Sequence, residues 1–221
     1  MTVFGQSNEQ RSYKFDTYKL SKVKNYRIST DVETHSFSNS NDSTYVLELR
    51  YGKKNEALLF INDKNKQLIR FDLDFKYSKI EDLNKLINSR LYTNVTTKSN
   101  YRKYKDFVEE MRYENDTIDN QVIVHLIGYK NKKKKKIIYN HYYFLSNKKK
   151  DTLINKPTII DYLSKKYQLL LAEDLKIYRI MHLEKSKLSK DTYFLKNEKI
   201  DFLFNFKIDE VNPKIIFKTS Y

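Results

Sequence analysis

A period-two pattern of apolar residues, repeated in separate stretches, limits the fold of this chain more than any other feature. Large apolar side chains occupy every second position from Ile200 to Ile208. The same alternation runs from Ile69 to Phe75, with charged residues at the positions between. In a β-strand successive side chains point to opposite faces of the sheet. These stretches therefore predict strands with one face against a core and the other in water.

Other segments rich in β-branched and aromatic residues extend this prediction. Residues 44–51, 56–63 and 67–75 predict a meander. Residues 121–129 and 136–145 flank an Asn-Lys turn and predict a β-hairpin. Residues 192–196, 199–209 and 213–218 predict antiparallel strands that close the domain.

Three segments have the spacing of amphipathic helices. Ser78 to Leu91 carries Ser78 and Glu81 in the spacing of a capping box. A second helix is expected from Tyr101 to Tyr113, and a third begins after Pro157 at Thr158. The region 168–183 fits a helix or a strand equally well.

These elements together predict an α+β fold, mainly antiparallel sheet with about three helices, including a projecting hairpin tipped with lysines. The 221 residues are 39% hydrophobic, which is enough for one sizeable core. We expect a single domain over residues 1–221, with a candidate sub-boundary near residue 150.

Several chemistries lack the residues that they need. The chain has no cysteine and only three glycines, so neither thiolate chemistry nor a glycine-rich phosphate loop is available. The four histidines are widely spaced, and no HExxH or GxSxG motif occurs. No apolar window approaches a signal peptide core or a membrane span. The sequence thus predicts a cytoplasmic protein without cofactor or membrane partner.

The net charge of +15 is concentrated in one window. Lysine and asparagine are abundant throughout, as in AT-rich coding sequence, so the charge alone is weak evidence for an acidic partner. Residues 120–150, however, contain nine lysines and no acid. These candidate contacts to nucleic acid or to a protein partner are Lys130, Lys132, Lys133, Lys134, Lys135, Lys136, Lys148, Lys149 and Lys150. Such a local concentration favours a selected positive surface.

Two further hypotheses concern side chains of the hairpin. If Tyr129 lies opposite Ile137, His125 lies opposite His141 and could share a metal, although packed histidines are commoner. Tyr142 and its aromatic neighbours on the hairpin could stack on bases, although a place in the core is the favoured interpretation.

A carboxylate cluster is the remaining enzyme candidate. Asp72, Asp74 and Glu48, with Lys76 nearby, resemble in type the acids and lysine of metal-dependent nucleases. The outer face of a sheet needs charged residues in any case, so a solvated face is the favoured interpretation and we expect neither a metal nor a catalytic residue.

The function predicted from these observations is a non-enzymatic structural component of a large macromolecular assembly, such as a bacteriophage virion neck or tail protein. Its partners would be other protein subunits, including copies of itself, and the backbone of DNA or RNA. The alternative is a free accessory or replication protein that binds nucleic acid without sequence preference. A metal-dependent nuclease is the third hypothesis.

Overall fold

The described chain is nearly all β. The computed structural model describes residues 9–62, 66–93, 108–116, 121–146, 165–166, 175–184 and 187–212. Of these residues 71% lie in strands and 5% in helices, and no helix among them reaches seven residues. The expected α+β class with about three helices is therefore wrong. Within the same described ranges, no helix is long and apolar enough to cross a membrane.

The described residues form twelve strands and one short 3₁₀-helix. The strands are β1 (Gln10–Asn25), β2 (Thr30–Ser38), β3 (Tyr45–Tyr51), β4 (Glu56–Ile61), β5 (Gln67–Asp72), β6 (Ile87–Tyr92), β7 (Val108–Asp116), β8 (Gln121–Tyr129), β9 (Ile137–Ser146), β10 (Lys176–Glu184), β11 (Lys187–Lys207) and β12 (Glu210–Asn212). Their hydrogen-bonded order is β12-β6-β5-β4-β3-β2-β1-β11-β10-β9-β8-β7. Strands β2 to β6 and β7 to β11 each pair antiparallel with the next, whereas β12 pairs parallel with β6.

The described residues fall into two compact units. The first unit comprises those within 1–19, 33–101 and 198–221, and the second those within 20–32 and 102–197. Alternate residues of the first unit's strands form an aromatic core: Phe15, Phe37, Ile69 and Phe204 are at most 1% exposed. The Phe204 ring lies 5.6 Å from that of Phe71, edge to face. The period-two prediction is confirmed for β11 and for Ile69 to Asp72 of β5, but β5 ends at Asp72 and the expected strand does not continue to Phe75.

The second unit has its own apolar core beneath the predicted hairpin. Alternate positions of β8 and β9, together with two isoleucines of β10, bury one cluster, formed by Val122, Val124, Leu126, Tyr143, Leu145, Ile177 and Ile180. Met111 of β7 and Phe194 of β11 pack against this cluster. Burial of this apolar surface fixes which face of β8 and β9 points inward.

The helix expected from Ser78 to Leu91 is wrong. The segment forms a 3₁₀-helix from Ile80 to Lys85 and then enters β6. The carboxylate of Asp82, which is 2% exposed, accepts hydrogen bonds from the amides of Ser78 and Lys79 at 2.8 and 3.0 Å. These bonds satisfy the amides at the start of a short turn without requiring a longer helix.

Pairing with β5 takes the second half of that segment into the sheet. Ile87, which the helical pattern placed on the apolar stripe, is 54% exposed, and Asn88 has a positive φ of 53°. Leu91 and Tyr92 remain buried because β6 pairs with β5. Local helical spacing was outweighed by sheet pairing, as tertiary contacts often outweigh propensity.

The second expected helix is also contradicted where it is described. Residues 101–107 lie outside the described ranges, and Val108 to Asp116 form β7. The backbone of β7 pairs with β8, and Met111 lies opposite Leu126 at the core. The spacing that suggested a helix serves a strand whose amides and carbonyls are satisfied by its neighbour.

The remaining expectations have mixed outcomes. The helix after Pro157 lies outside the described residues, apart from Lys165 and Lys166, which are helical. In the ambiguous region the strand alternative is confirmed for the part that belongs to β10. The expected strands match β3, β4, β8 and β9 within two residues at each end. Two separate expected strands proved to be one strand, β11, which is 21 residues long.

Candidate functional site

The predicted hairpin is confirmed, and its turn has a defined backbone. Strands β8 and β9 pair antiparallel, and the seven residues from Lys130 to Lys136 form the turn, here called the lysine tip. The amide of Lys130 donates to the carbonyl of Lys136 at 2.9 Å and closes the tip. Within it, the amide of Lys134 donates to the carbonyl of Asn131 at 3.0 Å.

All six lysines of the tip have exposed side chains, but their charges are not equally available. The ammonium of Lys134 contacts a carboxylate oxygen of Glu110 on β7, and the other oxygen accepts from the Tyr129 hydroxyl at 3.1 Å. This arrangement lowers the pKa of Glu110 and raises the pKa of Lys134. This ion pair therefore links the lysine tip to strand β7.

Four other lysines of the tip keep their charges unpaired. Within the described part of the chain, no ion pair involves Lys132, Lys133, Lys135 or Lys136. Lysine side chains so close together and without a carboxylate partner create a positive potential at the end of the hairpin. The tip therefore presents about four available positive charges to whatever approaches it.

A β-bulge changes the register that the sequence suggested. Tyr129 does lie opposite Ile137, as expected, but the register shifts between Gly128 and Tyr129. Below the bulge His125 lies opposite Tyr142. The expected pairing of His125 with His141, and with it the metal site proposed on that pairing, is wrong.

Gly128 lies at the bulge, and the ring of Tyr139 lies over it. A Cβ atom at this position would lie 2.4 Å from Cε1 of Tyr139, so the Tyr139 ring occupies the place of the missing side chain. An aromatic ring that covers a cross-strand glycine holds the two strands in one register. The sequence contains the signal, a glycine near the strand end, but not the identity of the ring that covers it.

The hairpin aromatics are divided between the two faces of the sheet. Tyr143 is 6% exposed, and Tyr139 packs against the same core cluster. The Tyr142 ring stacks on His125 with centroids 3.8 Å apart. Phe144 lies under the guanidinium of Arg179 at 5.0 Å. The favoured expectation of a place in the core is confirmed for Tyr139 and Tyr143, whereas Tyr142 and Phe144 are half-buried on the opposite face of the sheet.

The predicted basic surface differs from the lysine tip in two respects. Lys148, Lys149 and Lys150 lie outside the described residues. The window without acids in sequence is not free of acids in space, because β7 brings Glu109 and Glu110 alongside β8. The sequence did not predict that these acids would lie beside the lysines of the hairpin, because their position depends on strand pairing.

The structure separates Glu48 from the two aspartates of the nuclease hypothesis. Asp72 ends β5, accepts from the side-chain amide of Asn88 at 2.7 Å and lies 3.3 Å from the guanidinium of Arg90. Asp72 and Asp74 line one cavity of about 380 Å³, which Glu48 does not line. Glu48 lies two strands away on β3, in an ion pair with Arg50. The described residues include no group of three or more acids or histidines placed to hold a metal.

A buried histidine in the first unit escaped the sequence analysis. His35 is 5% exposed; its Nδ1 lies 2.9 Å from the Tyr18 hydroxyl and its Nε2 lies 3.0 Å from Glu33. Burial lowers the pKa of His35, and Glu33 partly offsets this effect. Burial also raises the pKa of Tyr18, and that of nearby Tyr77 to about 12. Both ring nitrogens are satisfied, as expected for a structural histidine.

Comparison with known proteins adds no relative: no protein-family model matches the sequence, and no curated protein is significantly similar to it.

Proposed function

We propose that this protein is a non-enzymatic component of a larger macromolecular assembly, in which the lysine tip contacts the phosphate backbone of a nucleic acid. The observation that supports the proposal is the set of four exposed lysines without ion pairs on a closed turn. Lysine clusters bind nucleic acids by neutralising backbone phosphates and releasing their counterions.

The chemistry of the tip favours contact without sequence preference. Lysine ammonium groups act as point charges, whereas base reading relies on bidentate arginine or amide side chains. The tip contains no arginine, and Tyr139 and Tyr143 of the hairpin pack at the apolar core. The expected contact is therefore with backbone phosphates, which position a protein but carry no sequence information.

The shape of the tip also favours binding. The bond that closes the turn and the contact between Lys134 and Glu110 hold the backbone in place. A turn that is already ordered loses less conformational entropy on binding than a flexible tail of the same charge. Lys134 supports the site, and its four unpaired neighbours make the contact.

The test is the affinity for a short DNA duplex as salt is raised. The variant changes Lys132, Lys133, Lys135 and Lys136 to Gln. If all four contact phosphates, the slope of log affinity against log salt should fall in magnitude by about 3–4 in this variant. The matched control changes four exposed lysines of the first unit that have no ion pair, Lys53, Lys54, Lys66 and Lys207, to Gln.

Both variants lose the same net charge, so a loss confined to the tip variant supports the proposal. Equal losses in both would mean that only the overall charge matters, and absence of binding by the wild-type protein at low salt would contradict the nucleic-acid contact. Sedimentation then separates the remaining hypotheses. Binding by a stable monomer favours the free accessory or replication protein, and a defined oligomer favours the assembly component, for which a virion neck or tail remains one prediction.

A further inference from the structure

A histidine pair that the sequence did not suggest lies across β9 and β10. His182 is the register partner of His141, and the two ring centroids are 4.2 Å apart with planes at 73°. Register partners on adjacent strands project from the same face of the sheet. The two residues are 41 positions apart in the sequence, so only the strand pairing brings them together.

We propose that His141 and His182 form a two-histidine site for a divalent transition metal of the zinc, nickel or copper class. Two imidazoles on one zinc ion, each with a metal–nitrogen distance of about 2.0–2.1 Å, have ring centroids about 5 Å apart at a tetrahedral angle. The observed separation of 4.2 Å is within about 1 Å of this value.

Neighbouring groups orient the pair and limit its affinity. The Tyr143 hydroxyl lies 3.4 Å from Nδ1 of His141, in the position of an outer-shell partner that orients a ligand ring. Lys190 lies opposite His182, and its positive charge would oppose a cation. With two protein ligands and water in the other positions, we expect micromolar binding.

His125 provides a matched control in the same hairpin. Its Nε2 lies 2.6 Å from Oδ1 of Asn140, and its ring stacks on Tyr142. It lies opposite Tyr142 and Arg112 in the two strand pairings, so it lacks a histidine partner across the described strands. A metal site built on the paired histidines should not depend on it.

The test is calorimetric titration of the untagged full chain with nickel or zinc chloride at neutral pH. We expect one metal per chain for the wild-type protein. His141→Asn and His182→Asn should each weaken binding at least tenfold, whereas His125→Asn should leave it unchanged. Equal binding by all four proteins, or no heat of binding at millimolar metal, would overturn the proposal.

A second measurement needs no variant, in case either substitution prevents folding. Histidine ring nitrogens of the wild-type protein can be followed by ¹⁵N NMR as zinc is added. The proposal requires that the resonances of His141 and His182 move together, with the same dependence on metal concentration. Shifts confined to His35 or His125 would assign the metal elsewhere and overturn it.

Discussion

His35 in the first unit and His141 in the second are both largely removed from water, yet they differ in what surrounds them. His35 lies between a tyrosine hydroxyl and the carboxylate of Glu33, at 2.9 and 3.0 Å. The ring of His141 instead meets a second imidazole, with a hydroxyl at 3.4 Å. Burial lowers the pKa of both. Burial alone thus does not define the role of a histidine. The groups that contact its ring distinguish a structural histidine, such as His35, from a candidate metal ligand, such as His141.

The largest expected effect tests the structural role of His35. His35→Ala removes a buried ring and its hydrogen bonds with Tyr18 and Glu33. We expect a loss of about 2–4 kcal/mol in the free energy of unfolding, from the cavity and the lost hydrogen bonds. Urea denaturation measures this loss. A change below that of His125→Asn, whose side chain is only half-buried, would contradict the comparison.

A smaller effect is expected from the titration of His141. Because its folded pKa is lowered to about 3 from the usual 6.5, the unfolded chain binds the proton more tightly. The stability that depends on neutral His141 is present above pH 6.5 and is lost as the pH falls toward 3. Between pH 7 and pH 5 we expect the wild-type protein to lose about 1–2 kcal/mol more than His141→Asn does.

Urea denaturation at the two pH values measures this difference. Restricting the range to pH 5 and above leaves the buried carboxylate of Asp82 ionised, since hydrogen bonds from Lys85, Ser78 and Lys79 lower its pKa. Parallel pH profiles of the wild-type protein and His141→Asn would show that His141 titrates normally and that its burial has no electrostatic consequence.

The smallest effect is expected from removing the Tyr18 hydroxyl, which contacts His35. Tyr18→Phe keeps the ring, which packs 5.3 Å from Phe37, and removes the hydroxyl that meets His35. We expect a loss of about 1–1.5 kcal/mol in unfolding free energy, the size of one buried hydrogen bond. Denaturant unfolding with an unchanged m-value is the measurement. A stabilising effect would mean that the hydroxyl is not a necessary partner of His35.

Sequence patterns predicted the parts of this fold in which one face of a strand is strongly apolar. The hairpin strands β8 and β9 were predicted within one residue at each end because β-branched and aromatic residues are dense there. Strand β1 was missed because lysines and other polar residues interrupt its apolar positions. The helical pattern from Ser78 to Leu91 failed because pairing with β5 took its second half into the sheet.

The candidate site was predictable only in part. The exposed lysines of the tip follow from the local sequence, since a run of lysines cannot be buried. The contact between Lys134 and Glu110, and the pairing of His141 with His182, depend on which strands are neighbours. Glu33 and His35 are two residues apart and therefore share a face of β2. Their contact could have been predicted from the sequence once β2 was recognised as a strand.

The bulge at Gly128 has a consequence for how the hairpin can vary in length. Because the Tyr139 ring sits on Gly128, the register of β8 and β9 is set below the tip rather than by the number of residues in it. Insertions or deletions between Lys130 and Lys136 should therefore leave the paired strands where they are. The tip is a segment in which a lineage could gain or lose lysines, and so adjust its charge, without rebuilding the sheet beneath.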